Sequence, residues 1–150
     1  IPFLIYTPGK IKAGSVVNEA LSCIDFLPTV MNLMDTKHGQ KVDGRDASTL
    51  FTGAKTDWND MAFIRSTSAG KPWLCAVSDR YKLVYSDMGD PWLFDLEKDP
   101  DEMINLFNDP KSKKIVTQMT AQLRNYSKLQ KDPYADLPQI KSAMDEVLAK

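Results

Sequence analysis

A chain of 150 residues with 43% hydrophobic and 26% charged side chains has ordinary globular composition, long enough to bury a core without metal or disulfide. Nineteen Lys and Arg stand against twenty Asp and Glu, a formal charge of −1, which argues against a generic nucleic-acid binder and against a polybasic membrane anchor. No apolar run approaches the ~20 residues of a membrane span, two cysteines exclude a disulfide scaffold or a four-thiolate zinc site, and one histidine excludes any site that needs two. The chain opens Ile1-Pro2-Phe3-Leu4-Ile5 without an initiator Met or a signal peptide, and an apolar segment at residue 1 reads as a cut end.

In chain order, residues 1–7 form an apolar run closed by Pro8-Gly9. The run fits a strand buried on both faces, as in a parallel sheet. After a polar turn at Lys10–Ser15, Val16 to Cys23 reads as a second extended stretch. A helix is predicted over Phe26–Met34, with Asp25 as N-cap bonding the Leu27 N–H, because Pro28 has none to give. Its apolar residues cover much of the circumference, so it should be largely buried. Residues 35–60 are polar and broken by Gly39, Asp43-Gly44 and Gly53, with a helical turn near Ser48–Phe51.

From Met61 the pattern changes. Ala62–Ser66, Trp73–Val77, Tyr81–Tyr85 and Trp92–Leu96 read as strands, joined by turns at Ser78-Asp79-Arg80 and Asp87-Met88-Gly89-Asp90-Pro91. Such short connections make the sheet antiparallel. Asp99-Pro100 and Asp109-Pro110 each read as an N-cap followed by Pro in a first turn. Ile115, Met119, Leu123, Tyr126 and Leu129 then mark one face of an amphipathic helix that should lie across the sheet. Asp132-Pro133 and Leu137-Pro138 break the chain, and Gln139–Ala149 forms a last helix.

The chemistry-bearing residues are sparse. His38 reads as a solvated loop histidine, and Cys75 and Cys23 as buried structural thiols. The acids from Asp95 to Glu102 lack the spacing, central Gly and terminal Glu of an EF-hand loop. Asn125-Tyr126-Ser127 matches a glycosylation sequon, but Tyr126 belongs to the apolar stripe. Arg65, Lys71, Trp73 and Arg80 are the candidates for a basic, aromatic-lined edge contacting a saccharide or sulfate, with ordinary surface charge as the plainer alternative.

Five segments, in order, carry a resemblance. Ile1-Pro2-Phe3-Leu4-Ile5-Tyr6-Thr7-Pro8-Gly9 is similar to a "V-P-hydrophobic … P-G" strand, and Ser22-Cys23-Ile24-Asp25-Phe26-Leu27-Pro28-Thr29-Val30 to an "S-x-x-D-hydrophobic-x-P-T" helix start. Val42-Asp43-Gly44-Arg45-Asp46-Ala47-Ser48-Thr49-Leu50 is similar to a "D-G-x-S-L" loop, and Arg80-Tyr81-Lys82-Leu83-Val84 to "R-Y-K-L-I". The run from Leu93 to Leu106 follows "L-Y-D-L-x-x-D-P-x-E-x-x-N-L". Together they resemble the C-terminal third of the formylglycine-dependent sulfatases.

The resemblance implies an alkaline-phosphatase-like α/β parent fold. Within it this chain would be an α+β piece: residues 1–34 ending the large sheet domain, residues 35–60 connecting, and residues 61–150 forming an antiparallel-sheet subdomain of about four strands with a packed amphipathic helix. It implies hydrolysis of sulfate esters or sulfamates by a hydrated formylglycine, with calcium or another divalent cation polarising the sulfate. That nucleophile lies in C/S-x-P/A-x-R. Cys75 has Val77 and Asp79 at the second and fourth positions and Cys23 has Asp25 and Leu27, so neither matches. Nucleophile, metal ligands and catalytic Lys are therefore expected in an N-terminal sulfatase domain in cis. No catalytic or metal residue is assigned in this chain, which is expected to bind no cofactor and to be inactive alone. The substrate would be a sulfated small molecule or saccharide, and the parent periplasmic, secreted or lysosomal. A phosphate or phosphonate ester hydrolase of the same superfamily, or a non-enzymatic α+β binding module, are the alternatives.

Overall fold

The structure, a computed structural model, describes residues 3–37, 39–68 and 70–149. Ile1, Pro2 and His38 lie outside the described residues, and with them the start of the first apolar run and the loop histidine. The chain divides into two compact units, Ile1–Asp60 and Met61–Lys150.

In the first unit Phe3–Thr7 forms no strand, and Leu4 and Tyr6 are 93% and 91% exposed. The expected doubly buried strand is absent because a strand needs neighbours for its backbone groups, and no strand lies among this unit's described residues. Phe3 is held edge-on by Phe26 and Phe51, with ring centroids at 5.6 and 5.9 Å. The second extended stretch is also not a strand. Its Ala20 N–H donates to the Asp60 carboxylate at 2.6 Å, and Cys23–Asp25 curls into one 3-10 turn. Cys23 is consequently exposed, contrary to its reading as a buried thiol.

Helix α1, Phe26–Leu33, follows. Asp25 does not cap it. Its own backbone is already helical, φ −75° and ψ −13°, so its carboxylate points back to accept the Ser22 N–H at 3.0 Å and across to accept the Arg45 N–H at 2.7 Å. Pro28, Thr29 and Leu33 are buried, while Phe26 and Leu27 remain about half exposed. The helix is thus less covered than its composition suggests, because the helix it packs against, α2 (Ser48–Thr52), is a single short turn. α1 closes in a Schellman arrangement: Asp35, at φ +54°, donates to the Asn32 carbonyl and Thr36 to that of Met31. Lys10 Nζ secures this end through the Leu33 carbonyl and the Asp35 carboxylate, at 2.6 and 2.5 Å. Gly44 is required where it stands, since a β-carbon there would overlap the Ile24 carbonyl.

The second unit is a four-stranded antiparallel sheet in the order β1 (Ala62–Arg65), β2 (Trp73–Val77), β3 (Tyr81–Ser86), β4 (Gly89–Asp95). The β3–β4 connection is a two-residue hairpin at Asp87-Met88, tighter than the five-residue turn expected, and Ser86 pairs with Gly89. Pro91 misleads as a turn signal; it sits within β4 because β4 is an edge strand, where a missing N–H breaks no ladder. Phe63, Ala76, Leu83 and Leu93 align across one face and Ile64, Cys75, Val84 and Trp92 across the other.

The first of these faces is covered by helices. Asp109 accepts the Lys111 N–H at 2.9 Å, starting a 3-10 turn that runs into α3, Lys113–Leu129. No helix follows Asp99-Pro100: Glu102 takes φ +56° and ends the turn, and the Asp99 carboxylate instead accepts the Ile104 N–H at 2.7 Å. The buried face of α3 is Val116, Met119, Thr120, Leu123 and Ser127, rotated from the expected stripe, and Leu129 is 72% exposed. The rotation is tolerable because the Thr120 hydroxyl is satisfied inside, by the Val116 carbonyl at 2.7 Å and the Tyr85 hydroxyl at 2.6 Å. Leu137-Pro138 opens α4, Pro138–Leu148, with Pro at its first position. Leu74, Leu83, Tyr85 and Leu93 of the sheet meet Met119, Leu123, Ile140 and Met144 of the helices in one core.

Candidate functional site

The four candidate cleft residues do not form one edge. Arg65 ends β1, and Lys71 and Trp73 sit in and after the β1–β2 loop, so these three share one end of the sheet. Arg80 precedes β3 in the β2–β3 turn, at the opposite end. It is also committed elsewhere. Its guanidinium grips the Asp95 carboxylate by two parallel bonds of 3.1 and 2.8 Å and reaches Glu97 at 3.2 Å. The hydrogen-bonded guanidinium holds the Asp95 carboxyl below its ordinary range, and the carboxylate in turn raises the Arg80 pKa.

At the other end Arg65 meets the Asp132 carboxylate at 3.1 Å and lies over the Tyr134 ring at 4.2 Å. Beside it a groove of about 220 Å³ runs between β1 and the end of α3. Phe63, Leu74 and Tyr126 are among its lining residues, and the rings of Phe63 and Tyr126 stack on each other at 4.3 Å. Trp73 is half-buried and its backbone N–H donates to the Ser66 hydroxyl at 3.3 Å, whereas Lys71 is exposed.

Reading the sequence missed a second arrangement, in the first unit. Arg45 carries its guanidinium 3.8 Å over the Trp58 ring and donates to the Asn59 carbonyl at 2.8 Å, with the Asp25 carboxylate at 3.6 Å. These residues border an open depression of about 650 Å³. The Trp58 indole N–H is buried without a hydrogen-bond partner among the described residues. Asp43-Gly44-Arg45 gave the signal for the first half of this pair; nothing in the polar run before Trp58 gave the second.

The cysteines and acids do not fit a formylglycine or a divalent cation. Cys75 is buried on β2, and burial pushes its thiol up to about 12, the reverse of an activated sulfur. Cys23 is exposed but has the wrong neighbours. Among the described residues no three His, Cys, Asp or Glu side chains gather as a metal site, and no helix is long and apolar enough to cross a membrane.

The family described as "N-sulphoglucosamine sulphohydrolase, C-terminal" matches residues 1–129. The chain belongs to this family. An arylsulfatase from Clostridium perfringens is 29% identical over 121 residues, covering 77% of this chain and 25% of the relative. A solved structure described as a 2-O GAG sulfatase is 28% identical, with a TM-score of 0.63, over 75% of this chain and 26% of that one. A phosphonate monoester hydrolase from Silicibacter pomeroyi shares the fold at 23% identity and a TM-score of 0.61, over 88% of this chain and 29% of that one. The chain therefore spans about a quarter to a third of the length of the relatives it matches.

Within this sulphohydrolase C-terminal family the resembling segments have clear physical jobs. Asp25 of the "D-hydrophobic-x-P-T" segment bonds Arg45 of the "D-G-x" loop, and Thr29 Oγ1 accepts the Ala47 N–H at 2.9 Å. Arg80 of the "R-Y-K-L" strand bonds Asp95 of the "L-F-D-L" strand. Asn105 ties the following loop to β4, accepting the Leu93 and Phe107 N–H groups and donating to the Pro91 carbonyl. These are scaffold contacts; the family's signatures in this chain hold the fold.

Proposed function

We propose that this chain is the C-terminal part of a sulfatase acting on sulfate esters or sulfamates, supplying scaffold and part of the substrate cleft. The observation that carries the reading is the family match over residues 1–129, and the sulfatases among the relatives support the reaction class. The nucleophile, a formylglycine, and its cation, calcium or another divalent ion, belong on this reading to an N-terminal domain in cis, because no residue set described here suits either. The substrate is a sulfated small molecule or saccharide, in keeping with the 2-O GAG sulfatase among the structural neighbours. Arg65, Lys71 and Trp73 remain the cleft candidates, since they share one end of the sheet; Arg80 is assigned to the scaffold through Asp95. A periplasmic, secreted or lysosomal location goes with this reading.

The second reading, a phosphonate ester hydrolase, draws on the shared fold with the Silicibacter pomeroyi enzyme. The test is to read the gene upstream of Ile1 for C/S-x-P/A-x-R, express the longer protein with its maturation machinery, and assay p-nitrophenyl sulfate against a p-nitrophenyl phosphonate ester. Preferred turnover of the sulfate supports the sulfatase; preferred turnover of the phosphonate supports the alternative; a reading frame that starts at Ile1, or no turnover of either, leaves the binding module.

A further inference from the structure

The two edges of the sheet in the second unit are finished differently. Along β4 the outward backbone groups are taken. Asn105 accepts the Leu93 N–H at 3.0 Å and donates to the Pro91 carbonyl at 3.1 Å, while Leu106 donates to the Leu93 carbonyl at 2.8 Å. Pro91 itself has no N–H to satisfy. β1 lacks such a cover. Ser66 donates to the Trp73 carbonyl at 3.1 Å, and the residues that bond a neighbouring strand alternate along an antiparallel ladder. Ala62 and Ile64 therefore bond β2, and Phe63 and Arg65 turn their N–H and C=O groups outward. Those four groups have no hydrogen-bond partner among the described residues. Neither a proline nor a register shift blunts this edge, and Ile64 at its centre is 48% exposed.

Outward groups on Phe63 and Arg65, one residue either side of Ile64, form a pattern that a two-fold axis satisfies. With the axis at Ile64, Phe63 of one copy faces Arg65 of the other as a hydrogen-bonded pair, and symmetry supplies the second pair. All four orphan groups of each copy are then bonded, and the two Ile64 side chains meet across the axis. The apolar row Ile64, Cys75, Val84 and Trp92 continues into its copy on the same face. We propose that β1 is a self-association edge, pairing antiparallel with β1 of a second copy to give one eight-stranded sheet. Four residues of edge bury far less than a standard interface of about 1,600 Å², so the dimer is weak, with a Kd on the order of 100 µM. The pairing rests on this chain alone and goes beyond the sulfatase reading.

The experiment is sedimentation velocity of the 150-residue chain from about 10 µM to about 1 mM, a range that spans that Kd. The expected result is a shift from monomer to dimer. Ile64→Lys sets two ammonium groups against each other and should weaken association about tenfold, with the far-UV spectrum kept because Ile64 is half exposed. Register is read by Ile64→Cys in a Cys23→Ser background, where Cys75 is buried. Cα atoms of a non-hydrogen-bonded antiparallel pair lie about 4.5 Å apart, within disulfide reach. Mild oxidation should therefore link two chains roughly tenfold faster than it links Met88→Cys, at an exposed position on the β3–β4 hairpin. If Ile64→Lys loses its fold, the cross-linking rate alone decides. The proposal is overturned if the chain stays monomeric throughout, if folded Ile64→Lys associates as the parent does, or if Ile64→Cys cross-links no faster than Met88→Cys.

Discussion

The Asp25 carboxylate accepts the backbone N–H of Arg45 at 2.7 Å, and the side chain of Arg45 lies 3.8 Å over the ring of Trp58. One buried acid thus links three segments of the first unit: the turn before α1, the Asp43-Gly44-Arg45 loop and the stretch before Asp60. Asp25→Ala leaves the Ser22 and Arg45 N–H groups without their acceptor, which should cost about 2–3 kcal/mol. Trp58 is the one tryptophan of this unit. In a Trp73→Phe, Trp92→Phe background its fluorescence should show a lower urea midpoint for Asp25→Ala. An unchanged midpoint would remove Asp25 from its central place.

The Arg80–Asp95 pair makes the second unit sensitive to acid. The Asp95 carboxyl lies below its unfolded value of 3.8, so its contribution is fully present above about pH 4 and is lost as pH falls through the folded value. Asp95→Asn should therefore lower the melting temperature at neutral pH, and the gap to the parent should narrow on the acid side of pH 4. A gap that stays constant with pH would mean that the pair's charge is not what stabilises this end of the sheet.

The two thiols should behave differently. Cys23 is exposed, whereas Cys75 is buried and its thiol is pushed up to about 12. A disulfide reagent at mild pH should modify one thiol rapidly in the folded chain and both in denaturant, with Cys23→Ser abolishing the rapid reaction. Rapid modification of Cys75 in the folded chain would contradict its burial on β2. The raised value also implies that stability falls as pH rises from about 9 toward 12, because the unfolded chain ionises first.

The second unit was far more legible in the sequence than the first. Trp73–Val77 is a short continuous apolar run, Tyr81, Leu83 and Tyr85 share one face of the next strand, and a short turn joins the two, so pattern and pairing agree locally. The start of β4 was not legible, because Pro91 signals a turn unless its strand is known to be an edge. In the first unit the apolar run at Phe3–Thr7 says what such a segment prefers, while a strand needs partners that the described residues lack. Asp25 shows the same limit on a smaller scale: an Asp before Pro28 is a cap by pattern, and the neighbour that claims its carboxylate is twenty residues away. Arg80 could have been separated from Lys71 by topology alone, since successive turns of an antiparallel meander lie at opposite ends. The Arg45–Trp58 stack had no such signal.

The most direct test of the central claim compares this chain with the longer sulfatase of which we propose it is the C-terminal part, both assayed with p-nitrophenyl sulfate in the presence of calcium. The account predicts turnover by the longer protein and none by the 150-residue chain, in which Cys75 is buried and no three His, Cys, Asp or Glu side chains gather as a metal site among the described residues. Turnover by the chain alone, or a longer protein that cleaves a phosphonate ester and leaves the sulfate intact, would contradict it.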